Sequence, residues 1–285
     1  MMHALREHFL VLKKEILNGL SQIMLQENQD TGLLFLVGIF LGSWKMGLAA
    51  LLSVIIGTLT ARIFRFDHAA REKGLYGFSA ALTGVALMLF LQPVLMTWLL
   101  VVAGSVAATV VQHFFIKRNI PAFTLPFVLV TWLIIYLAPY FFQNIVQQQA
   151  LPVVKQSFYL FAVKGFGQVI FQDQLLCGLI FFIAVYISSP VAALYGLAGS
   201  LVGGLLAWCF SMPLQDISIG VFSFNAVLCS IALAGKTVRA GAWALLSVLL
   251  SVAISLLMYH YYIIPLTFPF VAATCITSVL KKVSR

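Results

Sequence analysis

GLSQIMLQENQDTGLLFL at residues 19–36 and GFGQVIFQDQLLCGLIFF at residues 165–182 are one segment written twice. They align without a gap at an offset of 146, and six of 18 positions are identical. Most of the others exchange like for like, Glu27 for Asp173 and Ile23 for Val169 among them. The offset recurs downstream. GLYGFSAALTGVALM at 74–88 aligns with GVFSFNAVLCSIALA at 220–234, pairing Gly74 with Gly220, Phe78 with Phe224 and Leu82 with Leu228. A third pair, PAFTLPF at 121–127 and PLTFPF at 265–270, needs a small gap. The pattern predicts one unit of about 146 residues followed by a second of about 139.

Composition says where such a chain lives. Hydrophobic residues make up 62% of the 285 positions and charged residues 9%, with a mean hydropathy of +1.05. A soluble globular protein runs about 45–50% apolar and about 25% charged. Too few charges are present to cover a water-facing surface, which excludes a soluble enzyme, a disulfide scaffold and a disordered chain and leaves a polytopic membrane protein. The net charge of +9, from 17 basic and 8 acidic residues, falls mostly between apolar runs. It therefore reads as a set of topology determinants and not as a nucleic-acid surface. Cys177, Cys209, Cys229 and Cys275 all lie in apolar segments with no CxxC, which predicts small buried hydrophobes.

Ten apolar runs are candidate spans: Thr31–Ser43, Gly47–Phe64, Gly74–Leu91, Val94–Ile116, Ala122–Phe142, Leu175–Ser188, Val191–Phe210, Ile217–Ala234, Gly241–Tyr262 and Pro265–Leu280. A full span needs about 17–25 residues, so the first and sixth are short. With the N-terminus in the cytoplasm, ten spans put 14 of the 17 basic residues on the cytoplasmic side; Lys45, Lys155 and Lys164 fall outside. That asymmetry predicts both termini inside. Residues 1–18, MMHALREHFLVLKKEILN, interleave charge and apolar positions at helical spacing. They are expected to lie as an amphipathic helix along the membrane surface and not to serve as a cleaved leader. The organisation is then an N-terminal helix at 1–18, a first repeat at 19–145, a connecting segment at 146–164 and a second repeat at 165–285. Five spans per repeat is an odd number, so the second repeat enters the membrane from the opposite side. Inverted repeats of this kind place the substrate path at their interface.

Each short span follows a Gln-rich stretch, with Gln22, Gln26, Asn28 and Gln29 in the first unit and Gln168, Gln172 and Gln174 in the second. Amides and bare backbone cannot face lipid, so these stretches are expected at the interface or as two re-entrant half-helices. All eight acidic residues lie at or outside the ends of the candidate spans, and no Lys or Arg is mid-span. Ion-coupled transport usually needs an intramembrane charge, and neither catalytic carboxylate pairs nor metal-ligand clusters occur, so no enzyme and no cofactor are expected. His113 and His260, near span ends, are expected to be packed or capped. What remains for a pore is Gln, Thr and Phe: amide donors and acceptors, hydroxyls and flat aromatic walls. That set suits a small, neutral, planar solute with several N–H donors.

The chain resembles the urea transporter family, specifically its short bacterial members. The carrying residues are the doubled G-x-x-Q-x-x-[LF]-Q at Gly19–Gln26 and Gly165–Gln172, GLYGFSAAL at 74–82, SFNAVL at 223–228, FTLPF at 123–127 and LTFPF at 266–270. The resemblance implies an all-α protein of ten transmembrane helices in two inverted five-helix repeats, plus two re-entrant half-helices. It implies homotrimers in a bacterial inner membrane, with membrane lipid around them, one pore per chain and urea as permeant. Carried onto this sequence, it puts Gln22 and Gln168 at the pore entrances. Phe78 with Leu25, and Phe224 with Phe171, wall two slots. Leu82 and Leu228 line the path, and Thr124 and Thr267 flank the constriction. Pro126 and Pro269 are expected to interrupt helices beside those threonines and free carbonyls. The sequence departs from the family's pattern at Ser79, where the second half keeps Asn225, at Leu25, the non-aromatic partner of Phe171, and at Gln168, where some relatives carry Glu. The other readings open to the residues alone are a pore for short amides, ammonia or water, and a membrane scaffold that transports nothing.

Overall fold

A computed structural model describes residues 2–147 and 158–284. They form two compact units, the first ending and the second beginning in the segment between those ranges. Unit 1 carries α1 (Met2–Ser21), α2 (Gln29–Gly42), α3 (Trp44–Ile63), α4 (His68–Glu72), α5 (Phe78–Phe90), α6 (Leu95–Lys117) and α7 (Leu125–Phe141). Unit 2 carries α8 (Phe161–Gln168), α9 (Leu175–Ser188), α10 (Pro190–Cys209), α11 (Leu214–Ser218), α12 (Phe224–Leu233), α13 (Val238–His260) and α14 (Phe268–Val283). Among the described residues the only extended pairing is a single bridge between Leu91 and Val146.

Helix starts are set by residues that satisfy the free N–H groups of a first turn. Asn28 Oδ1 accepts from Thr31 N at 2.9 Å and starts α2. Asp67 accepts from Ala70 N at 2.7 Å and starts α4. Ser43 and Ser189 do the same for α3 and α10, at 3.4 and 3.3 Å.

The elements of the two units correspond. From α2 to α5 and from α9 to α12 each helix begins 146 residues after its counterpart; α6 and α13, and α7 and α14, are 143 apart. Side chains correspond as well. Gln26 Nε2 donates to Met24 O at 2.8 Å, and Gln172 Nε2 donates to Ile170 O at 3.0 Å. A carbon added to Gly84 on α5 would collide with Ser53 Oγ on α3, and one added to Gly199 on α10 would collide with Ser230 Oγ on α12. The same tight crossing is built in both units with serine and glycine exchanged between the helices.

All ten candidate spans contain a helix, but their lengths differ from the sequence reading. α3, α6, α10 and α13 are each long and apolar enough to cross a membrane, while α2, α5, α7, α9 and α12 are shorter apolar helices of 10–17 residues. The runs Gly74–Leu91 and Ile217–Ala234 are not continuous helices. Gly74 and Gly220 stand at φ +78° and +89°, a left-handed conformation that glycine adopts without steric cost, and α5 and α12 begin four residues later at Phe78 and Phe224.

Three further readings need correction. Helix α1 does not end at residue 18 but continues to Ser21, and its last turns are buried: Glu15 is 1% and Leu20 0% exposed. Glu15 Oε2 accepts from Arg62 Nε at 2.7 Å, tying α1 to α3. Second, α8 begins at Phe161, inside the expected connecting segment; most of that segment, with Lys155, lies outside the described residues. Third, Lys164 is buried in α8 at the position matching Asn18, whose Nδ2 donates to Glu72 O at 2.8 Å. Lys164 is thus a packed helix residue and not a solvent-facing charge. Of the cysteines, Cys177 and Cys229 are buried, Cys275 is half-buried and Cys209, at the end of α10, is exposed.

Candidate functional site

The Gln-rich stretches are turns that close helix pairs. After Ser21 a 3-10 turn covers Gln22–Met24, Leu25 takes φ 61°, and Asn28 caps α2. Leu25 N donates to Gln22 O at 3.0 Å, and Gln26 N reaches Ser21 O at 3.1 Å. In unit 2, Phe171 N donates to Gln168 O at 3.1 Å and Gln172 N to Gly167 O at 3.0 Å. Phe171 stands at φ 57°. A left-handed conformation costs a non-glycine residue roughly 1–2 kcal/mol. Leu25 and Phe171, two of the ten expected site residues, occupy it at matching positions. Gln26 and Gln172 are buried and spend their amides on the turn itself. Gln22 is half-buried and its Nε2 donates to Lys73 O at 3.0 Å, which holds the turn against the segment leading to α5. Gln168 is half-buried as the last residue of α8.

Phe78 and Phe224 are the first residues of α5 and α12 and are 5% and 6% exposed. Leu82 and Leu228, one turn on, are fully buried. Thr124 and Thr267 are buried at the N-caps of α7 and α14, just after Phe123 and Leu266 at φ 47° and 43°. In unit 1 the 22–24 turn and α7 both pack on α5; in unit 2, α8 and α14 both pack on α12. Each unit therefore gathers its own five expected residues on or beside α5 or α12 and the two elements that pack on it.

The expectation for the prolines is corrected. Pro126 and Pro269 sit in the first turn of α7 and α14 and do not interrupt a helix already under way. Proline suits that turn, because its missing N–H is one the helix cannot use there and its φ is already helical. In unit 2 the carbonyl before the helix is not left free. Leu266 O accepts from Asn225 Nδ2 at 3.2 Å, and Asn225 Oδ1 accepts from Phe270 N at 3.2 Å. In unit 1 the matching Ser79 is too short for this, and its hydroxyl donates to Gln112 Oε1 on α6 at 3.0 Å.

Sequence reasoning missed these supports. Asn225 was visible only as a motif letter, and Gln112 carried no signal because its partner is 33 residues away. The polar group around Cys229 was also missed: Thr274 Oγ1 lies 3.6 Å from its sulfur and 3.4 Å from Ser247 Oγ. His113 is packed as expected, stacked 3.7 Å from Phe66 with its Nδ1 3.3 Å from the Tyr76 hydroxyl.

An all-helical membrane protein whose doubled motifs start helices at glycine-bearing turns is the class these features define. The family model for urea transporters matches residues 14–282, and the chain belongs to that family. Among its relatives, urea transporter 1 of the rat is 28% identical over 238 residues and that of the mouse 30% over 241; each match takes in 77% of this chain and 62% of the relative. Urea transporter 1 of the sheep is 27% identical over 292 residues, 91% of this chain and 74% of the relative. The chain thus spans 62% of the length of the rat and mouse proteins it matches.

Proposed function

We propose that this chain passes urea down its concentration gradient by channel-like facilitated diffusion. The family match across residues 14–282 carries the reading, and the names of the mammalian relatives support it. In this reading Phe78, Leu82 and Thr124, with Phe224, Leu228 and Thr267, line the path. Leu25 and Phe171 complete the aromatic and apolar walls, and Gln22 and Gln168 stand at the entrances.

The chemistry follows from what urea loses on entry. Burying a polar group without a partner costs roughly 2–7 kcal/mol, and urea carries several. Threonine hydroxyls both donate and accept, so each offsets part of that cost beside a ring wall that accommodates a planar solute. Neutral partners keep binding weak enough for exit. The reading also takes ten spans, five per repeat, both termini on the cytoplasmic side of a bacterial inner membrane, and a homotrimer with one path per chain.

Stopped-flow light scattering of proteoliposomes under opposed urea, acetamide, glycerol and water gradients tests this. Urea-driven reswelling well above that of protein-free liposomes, unchanged when sodium is replaced or a proton gradient is collapsed, is the expected result. Reswelling equal to that of protein-free liposomes overturns the transport reading, and flux lost with sodium or the proton gradient overturns the channel mechanism.

A further inference from the structure

Helices α10, α12 and α13 of unit 2 enclose a crevice of about 280 Å3. Its walls include Leu194, Ala198 and Val202 of α10 and Gly241, Ala244 and Val248 of α13. Apart from the hydroxyls of Tyr195 and Ser230 the lining side chains are hydrocarbon or glycine. Leu194 and Leu245 at its sides are 56% and 48% exposed in the single chain, which leaves an apolar face of the kind acyl chains cover.

One end of the crevice is polar. The Tyr195 hydroxyl donates to Gly235 O at 2.8 Å and pins the loop that leads into α13. Lys236 follows Gly235, Thr237 caps the helix, and Arg239 lies in its first turn, two residues before Gly241. Lys236 and Arg239 are exposed, and among the described residues neither forms an ion pair. From Val238 to Val248 the helix rises about 15 Å, which is half of a hydrocarbon core of about 30 Å. A basic mouth thus stands above an apolar slot one leaflet deep.

We propose that this crevice holds an acyl chain of an anionic glycerophospholipid whose phosphate rests on Lys236, Arg239 and the first N–H groups of α13. Two cations at a helix start complement a phosphate. A zwitterionic lipid carries a compensating cation that the same mouth repels.

The experiment uses the full-length protein in vesicles of phosphatidylcholine doped with phosphatidylglycerol bearing a diazirine on its acyl chain, together with native mass spectrometry against both unlabelled lipids. Labels within 194–202 and 241–248, and preferential retention of one phosphatidylglycerol per chain, are expected. Replacing both cations (K236Q with R239Q) is expected to weaken phosphatidylglycerol binding roughly 30-fold and to leave phosphatidylcholine unchanged. Gly241→Leu is expected to abolish the labels; its Cβ meets only Tyr195 Oη at 3.6 Å, and its remaining carbons fill the crevice. Labels confined to other segments, equal retention of the two lipids, or a photo-crosslinker at Leu245 that captures a second copy of the chain and no lipid would each overturn the assignment. The labelling of the unsubstituted protein decides the question even where a variant fails to fold.

Discussion

Asn225 grips the backbone of Phe270. Its Oδ1 accepts from Phe270 N at 3.2 Å while its Nδ2 donates to Leu266 O at 3.2 Å. One amide thus bridges the two sides of the break that precedes α14, with Thr267 between its two contacts. The side chain belongs to the second residue of α12. It therefore couples the helix that begins with Phe224 to the cap residue Thr267, and so joins two parts of the candidate path.

Asn225→Ala is expected to leave a buried N–H and a buried C=O without this partner. An unsatisfied buried group costs about 1–3 kcal/mol, so the thermal unfolding midpoint in mild detergent should drop clearly, with urea flux reduced in the protein that remains folded. Asn225→Asp keeps the acceptor but turns a carboxyl oxygen toward Leu266 O in a buried site, and should fall at least as far. Midpoints equal to the parent's in both variants would show that the grip contributes nothing.

The exchanged serine and glycine allow a double-mutant cycle. Gly84→Ser alone is expected to destabilise unit 1 severely, because its added carbon collides with Ser53 Oγ. Ser53→Gly alone should cost little beyond helix propensity, about 0.5 kcal/mol. The double variant reproduces the Gly199 and Ser230 arrangement of unit 2 and should regain most of the parent stability. Denaturation in detergent measures the cycle; a double variant no better than Gly84→Ser alone would refute the equivalence of the two crossings.

Phe171 is expected to separate backbone strain from side-chain function. Phe171→Gly relieves a left-handed φ of 57°, worth roughly 1–2 kcal/mol, but removes a ring from the proposed wall. It should fold at least as well as the parent allows for a lost ring and discriminate less well against acetamide and glycerol. Phe171→Val, branched at Cβ, should fold worst. A Phe171→Gly protein with parental selectivity would return the ring to packing alone.

Phe224→Ala tests the other half of that slot. Removing a buried ring costs about 3–5 kcal/mol in soluble cores, so the variant is compared only after its folded state is established. Weaker exclusion of acetamide and glycerol in reswelling assays is the expected outcome; unchanged selectivity in folded protein removes Phe224 from the path.

Thr124→Val and Thr267→Val keep the branched shape and delete the hydroxyl. A hydrogen bond worth about 0.5–1.5 kcal/mol net, felt at the barrier, corresponds to roughly a two- to tenfold fall in urea flux per site. Water flux should fall less, because water retains partners of its own kind. Parental urea flux in both single variants and the double variant would confine these hydroxyls to their own helices.

The class of the protein and its doubling were legible in its letters. A chain 62% hydrophobic and 9% charged has one solvent it can fold in, and that follows from composition without any contact. The 146-residue offset likewise fixed the paired turns, because Gly74 and Gly220, or Leu25 and Phe171, adopt the same local backbone from the same local letters. What the polar residues do depends on the packed fold. Gln26 and Gln22 share a stretch and a residue type, yet one locks its own turn and the other reaches Lys73, 51 residues away. Glu15 and Lys164 read as charges at a surface and are buried. Asn225 and Ser79 hold the same place in the repeat and bond to different helices, since a hydroxyl cannot span what an amide can. A side chain's partner depends on what the fold carries within about 3 Å of it, and no periodicity along a chain encodes a neighbour that arrives from 40 residues away.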